Sequence, residues 1–286
     1  MTGLRVALVS FRSDVFAALH GGCVKNGNLP VVYINGRSGR PGGASYRNVG
    51  DKVTDILGGI PSDVDLLLPG NAEGLAQALR GYEIDVAVVC GLSWRLPKQV
   101  LEAPKLGILN VHASLLPQYR GPAPVQWAIR NGDPSIGMTV HWMNERIDTG
   151  RVVVQREGIE LPEFLTFNEL WPILAPTMEV LVAEALDHAL DGYKGERQDE
   201  TRVTYAGSME PGFDRIDWAR PARVIHNQVR AFYFGLGMLG PFAHVNGEKV
   251  LVQRTSLTED EGGVRVECGD GPIWVVESRP VRGFSR

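Results

Sequence analysis

The sequence predicts an α/β protein: a mainly parallel sheet with helices on both faces, followed by a small β-rich domain. Three observations carry this. Short apolar runs alternate with amphipathic segments through the first half of the 286 residues, the pattern of successive strand–helix–strand units. Some runs, such as Val86, Ala87, Val88 and Val89, are apolar at every position, as strands covered on both faces are. In the last quarter the runs shorten and are separated by turn dipeptides such as Asn246 and Gly247, which signal hairpins instead of crossovers.

The elements follow in order. Residues 5–10 read as a buried strand and 15–25 as a helix closed by Asn26 and Gly27. A second strand at 29–34 precedes a Gly-, Ser- and Arg-rich stretch at 38–49 that reads as an exposed loop. A short strand at 65–68 is followed by a helix at 71–79, with Asn71 as N-cap. Residues 84–89 form a central strand, 97–103 a short helix opened by Pro97, and 107–112 the next strand. A helix at 124–131 ends at Gly132; strands at 137–142 and 151–155 flank a loop holding Asp148, Thr149 and Gly150. Residues 166–190 have a helical pattern that Pro172 and Pro176 should interrupt. A polar stretch from Asp191 begins a linker, giving domains at 1–190 and 212–286 joined by 191–211. The second domain holds a helix at 222–232 and strands at 242–245, 249–254, 264–268 and 273–278, the makings of a partly open barrel.

Bulk properties narrow the function. Net charge is -4, so the chain lacks the overall basic character of a nucleic-acid binder, although a local basic patch can sit on an acidic protein. The 3 cysteines, Cys23, Cys90 and Cys268, are scattered, so no disulfide framework or cysteine metal site is expected. No signal peptide and no long apolar span is seen, and a cytoplasmic protein without a membrane partner is expected.

The chemistry concentrates at Asn110 and His112. Alternate residues of a strand share a side, so an amide and an imidazole face one site, at the carboxyl end of a strand where such sheets bind ligands. An imidazole moves protons near neutral pH, the amide donates hydrogen bonds, and Asp148 is the candidate to orient the imidazole. Without a Ser or Cys nucleophile in the set, this suits direct acyl transfer: the oxyanion is stabilised by Asn110 and protonated His112, and His112 shuttles protons.

From Asn110 through Pro117, then Tyr119, Arg120 and Gly121, then Asp148, Thr149 and Gly150, the sequence resembles the folate-dependent formyltransferases. That family includes methionyl-tRNA formyltransferases and sugar N-formyltransferases. The resemblance is dense from about residue 84 to 160 and thinner beyond. It implies a Rossmann-like catalytic domain, an OB-like C-terminal domain, catalytic Asn110, His112 and Asp148, and 10-formyltetrahydrofolate as donor, with no metal. It also implies a pterin held against the backbone at Val89, Cys90, Gly91 and Leu92. Ser114, Leu115, Leu116, Pro117 and Ile147 would wall the pocket. Trp94 is read as a wall or lid of the same pocket, with a core position as the alternative.

Departures bear on the acceptor. The first turn is Ser10, Phe11, Arg12 and Ser13 where tRNA-formylating relatives carry Gly-Thr-Pro, and the basic loop is thinned to Arg37, Arg40, Arg47 and Lys52 among glycines. The expected acceptor is therefore a small-molecule amine, such as an amino sugar or an amino-acid-derived metabolite, with aminoacyl-tRNA as the alternative. A homodimer is kept open. His141 and His226 read as structural. Arg120 either places its loop through carbonyls or contacts an anionic acceptor or the folate tail.

Overall fold

The computed structural model describes residues 3–36, 49–235 and 240–281. The chain forms two compact units, one of residues 1–122, 137–159 and 171–205, the other of 123–136, 160–170 and 206–286.

The first unit is built on a seven-stranded sheet. Its strands are β1 (Arg5–Val9), β2 (Leu29–Ile34), β3 (Asp65–Leu67), β4 (Val86–Val89), β5 (Gly107–His112), β6 (Ser135–Trp142) and β7 (Val152–Glu160), in the order β3-β2-β1-β4-β5-β6-β7. The first five run parallel, and β6 is antiparallel to β5. The order reverses between β1 and β4, the place where open α/β sheets leave a crevice at their carboxyl ends. The fully apolar β4 is buried at all four positions. Ala87 and Val89 join Val9, Val32, Leu75 and Ile108 in one core cluster; fully burying a valine, leucine or isoleucine stabilises by about 1.5–3 kcal/mol.

The helices mostly follow the sequence expectation. They are α1 (Ser13–Val24), α2 (Val49–Gly59), α3 (Ala72–Gly81), α4 (Lys98–Leu101), α5 (Pro124–Asn131), α6 (Phe167–Leu190) and α7 (Ala222–Gly235). The Asn71 side chain caps α3, accepting from the Gly74 N–H at 2.8 Å. Two expectations need correction. α2 was not foreseen, because its sequence is short and glycine-flanked; Ile56, 1% exposed, is the buried anchor that sets it. α6 is continuous through Pro172 and Pro176. Each proline removes one backbone N–H, but Leu174, Met178, Leu181, Val182 and Leu186 are all buried, and that apolar face outweighs the lost bonds. The loop expected at 38–49 falls almost wholly outside the described residues, as do Arg37, Arg40, Arg47 and the side chain of Lys52.

The second unit carries a four-stranded antiparallel half-barrel, β10 (Val264–Cys268), β11 (Gly271–Pro280), β9 (Glu248–Ser256) and β8 (Phe242–Val245), in that order. Asn246 and Gly247 join β8 to β9 with φ of 51° and 83°, the two positive values that a tight I′ hairpin requires. Val229 of α7 packs against Val245, Val250, Val252 and Val275.

No helix among the described residues is long and apolar enough to cross a membrane.

Candidate active site

The carboxyl end of β5 organises the site. Val89, the last residue of β4, pairs with Asn110, and on the other side Asn110 faces His141 while His112 faces Thr139 of β6. Asn110 and His112 are two apart on a strand and project to one side, as their spacing requires. Asp148 comes from the turn after β6 and lies against both histidines of the cluster.

The hydrogen bonds assign the proton positions. His112 Nε2 is 2.9 Å from the Tyr119 carbonyl oxygen. A carbonyl only accepts, so Nε2 carries the proton in neutral His112. Its Nδ1 then faces Asp148 Oδ2 at 3.8 Å. The same carboxylate oxygen accepts the Gly121 N–H at 2.8 Å. His141 Nδ1 donates to the Trp142 carbonyl at 2.9 Å, so its Nε2 is an acceptor and takes the Asn110 side-chain N–H at 3.1 Å. His141 Nε2 also lies 3.7 Å from Asp148 Oδ1. One carboxylate thus stands between two imidazoles.

Burial decides the charge state of His112. The residue is 7% exposed, and desolvation pushes its pKa below the usual histidine value. Asp148 and the Tyr119 carbonyl oppose this only in part, and His141 adds to it. Burial alone would raise the Asp148 carboxyl, but the two histidines and the Gly121 N–H together hold it below the usual carboxylate range. At neutral pH the pair is therefore a neutral imidazole beside a carboxylate. This is a proton acceptor with a countercharge waiting for the proton.

Backbone strain accompanies the arrangement. Tyr119 and Asp148 adopt φ of 56° and 53°, a left-handed conformation that non-glycine residues hold only when the surroundings enforce it. Arg120 lies between the two groups that anchor His112 and Asp148. It is fully buried, pairing with Gln198 and Glu200. Its guanidinium donates to the Gln198 and Glu200 side chains, which corrects the expectation that it bonds carbonyls of its own loop.

The residues named for the folate pocket divide into kinds. Val89 and Cys90 are 1% and 5% exposed, and burial pushes the Cys90 thiol up to about 12. Gly91 turns the chain with φ of 81°, and a Cβ there would stand 2.2 Å from the Phe11 ring. Leu92 packs on the core cluster, and Trp94, 4% exposed, lies within it, so the core alternative describes the Trp94 position. Ser114 hydroxyl donates to the Gln118 carbonyl at 2.7 Å, and Thr139 hydroxyl donates to the Ser114 carbonyl at 2.7 Å. The Leu116 N–H donates to Thr139 and its carbonyl accepts from Gln155. Leu115 packs on Gly137, and the Pro117 carbonyl accepts the Thr204 N–H. Ile147 is 61% exposed beside Asp148. Among the described residues, no group of His, Cys, Asp or Glu is placed to hold a metal ion.

His141 and Gln198 were not assigned to the site from sequence. His141 is two strand positions from Thr139 and pairs with Asn110, so it shares the face of Asn110 and His112, a relation that only antiparallel pairing reveals. Gln198 sits in a stretch read as linker.

Residues 6–163 match the formyl transferase family, and residues 208–283 match its C-terminal domain. A methionyl-tRNA formyltransferase from Synechococcus sp. (strain JA-2-3B'a(2-13)) is 40% identical over 72% of this chain and 62% of its own length. One from Acidobacterium capsulatum is 34% identical over 90% of this chain and 86% of its own. Among solved structures, an N-formyltransferase from Helicobacter canadensis in complex with folinic acid and dTDP-3-aminofucose shares the fold, with a TM-score of 0.69. It is 18% identical, over 96% of this chain and 100% of that one. The chain thus spans less than two thirds of the first of these relatives and most of the others. With over half its length inside the N-terminal match and the half-barrel inside the C-terminal one, the chain belongs to the formyltransferase family.

Proposed function

We propose that the chain transfers a formyl group from 10-formyltetrahydrofolate to an acceptor amine, and that the acceptor is methionyl-tRNA. The observation that carries the reaction is the convergence of Asn110, His112 and Asp148 at the end of β5, with His112 buried and neutral. The Cys90 peptide is engaged by Val9 and Ser10, so the peptide groups of Gly91 and Leu92 would meet the donor, beside apolar side chains and no charge. A pterin, flat and rich in hydrogen-bonding edges, suits that chemistry.

The folate supplies the activated formyl carbon. His112 Nδ1, unprotonated at neutral pH, takes the proton that the amine sheds as its nitrogen bonds to that carbon. Asp148 stabilises the imidazolium that results. Asn110 holds one N–H on His141 and has a second for the developing oxyanion. The same His112 proton then returns to the departing nitrogen, which closes the cycle without a covalent enzyme intermediate.

The sequence alone favoured a small amine. The 40% and 34% identities to methionyl-tRNA formyltransferases shift the balance to the aminoacyl-tRNA. A small amine keeps support from the net charge of -4 and from the full-length fold match to the Helicobacter protein. The test is tetrahydrofolate release from 10-formyltetrahydrofolate with methionyl-tRNA and with amino sugars. With tRNA as acceptor, kcat/KM should fall steeply with salt, since phosphate contacts release counterions. Release with neither acceptor refutes formyl transfer; release with an amino sugar alone, insensitive to salt, refutes the tRNA.

A further inference from the structure

We infer that Gln198 is a positioning residue that sets the spacing of His112 and Asp148. Its side-chain amide uses both ends. Oε1 accepts from Arg120 Nε at 3.0 Å and from Arg120 Nη2 at 2.6 Å. Nε2 donates to the Asp148 carbonyl and to the Gly150 carbonyl, each at 2.8 Å. The guanidinium can only donate and the carbonyls can only accept, so the amide has one workable orientation.

This amide ties together the two turns that make the site. Arg120 sits between Tyr119, whose carbonyl holds His112 Nε2, and Gly121, whose N–H holds Asp148 Oδ2. At the other end, Gln198 grips the backbone of Asp148 itself, at φ of 53°. Glu200 takes the far side of the guanidinium with two further bonds, 3.2 and 2.8 Å long. Remove the amide and the 148–150 turn is held to the 119–121 turn by the Asp148–Gly121 bond and by His112, which meets the Tyr119 carbonyl and Asp148. The hydrogen bonds of Gln198 go to Arg120 and to the Asp148 and Gly150 carbonyls, not to either histidine. It acts through two backbone turns, each with a residue in a left-handed conformation.

The kinetic part of this inference rests on the formyl-transfer reading; the structural part does not. Two variants test it. Gln198→Met keeps the length and loses every bond; Gln198→Glu keeps the acceptor towards Arg120 and turns the donor end against two carbonyls. Gln198 is only partly buried, so both are expected to fold, checked by circular dichroism and Tm. In each, kcat should fall towards about a hundredfold, the scale of a ~1 Å misplacement of catalytic groups, while KM for the folate donor stays close to wild type. The readout that a merely structural role would leave alone is the His112 titration followed by NMR. Asp148 and His141 are the ionisable groups facing it. Asp148 and the Tyr119 carbonyl hold that value up against burial, so the midpoint should fall further below the ordinary histidine value as the turns part. In the wild type, the Gln198 side-chain amide protons, each on a carbonyl, should exchange slowly with solvent.

A folded Gln198→Met protein with wild-type kcat and an unmoved His112 midpoint overturns the inference, and so does free exchange of the wild-type amide protons. A wild type that transfers no formyl group, while its amide is protected and the Gln198 variants shift the midpoint, refutes the function and leaves the clamp standing.

Discussion

Replacing Asp148 by Asn isolates the electrostatic part of the proposed chemistry. The substitution keeps shape, and the Asn oxygen can still accept the Gly121 N–H while its amide faces the acceptor nitrogen of His141. What disappears is the charge 3.8 Å from His112 Nδ1. At that distance the attraction for an imidazolium is about 1 kcal/mol in water-like surroundings and about 4 kcal/mol at an effective dielectric near 20. His112 is 7% exposed, so the upper part of that range applies. If His112 carries a proton in the transition state, kcat should drop by roughly 10- to 1,000-fold, with little change in KM. The pH profile gives a second reading. The wild-type His112 titrates below the ordinary histidine value, so kcat/KM is full at neutral pH and falls on the acid side. Removing the carboxylate, which raises that pKa, should move the acid limb to still lower pH while the plateau falls. Single-turnover formyl transfer between pH 5 and 8 measures both. A variant within twofold of wild type, with an unmoved limb, would refute the pairing of Asp148 with His112.

Three other perturbations test separate parts of the molecule. His141→Phe removes the acceptor that holds the Asn110 amide at 3.1 Å; kcat should fall about tenfold, the scale of one hydrogen bond, and an unchanged kcat would mean that Asn110 is oriented by other groups. Gly91→Ala forces a Cβ to 2.2 Å from the Phe11 ring at φ of 81°. It should cost on the order of 1–3 kcal/mol, measured by urea unfolding, and distinctly less in a Phe11→Ala background; equal costs in both would discount the clash. In the C-terminal unit, buried His226 lies between the Thr255 hydroxyl and Glu163, and burial together with the Arg230 charge lowers its pKa to about 4. A lowered histidine pKa means that the unfolded chain binds a proton the folded one refuses. Stability is then complete above about pH 6.5 and declines by up to about 3 kcal/mol as pH falls towards 4. His226→Gln should flatten the Tm–pH curve across that interval, and a curve parallel to wild type would count against the assignment.

The residues legible in the sequence share a property: their placement follows from local periodicity or from a continuous motif. Asn110 and His112 share a face because strands repeat every two residues. β4 had to be buried because it has no polar side chain. Asn246 and Gly247 had to turn because both positions take positive φ without strain. Asp148 was a candidate partner by its chemistry, and the family motif made it catalytic, since nothing in the 35 residues between it and His112 says that the chain returns to the same spot.

What stayed hidden acts through the backbone or through register. The Tyr119 carbonyl and the Gly121 N–H are available in any residue, and no side-chain pattern reveals that they hold His112 and Asp148. His141 reaches Asn110 only because β6 runs antiparallel to β5 in one register; a slip of one residue would turn it to the other face. Gln198 lay in a polar stretch with the composition of a linker, yet its amide joins two turns distant in sequence. The sequence by itself determined the fold class, the family and the chemical types brought to the end of β5, because these depend on local pattern and motif. The tertiary structure decided which nitrogen of each histidine carries its proton, which atoms hold Asp148 in place, and that a buried Arg120 and Gln198 fix the spacing, because those depend on distances between segments that the chain order leaves far apart.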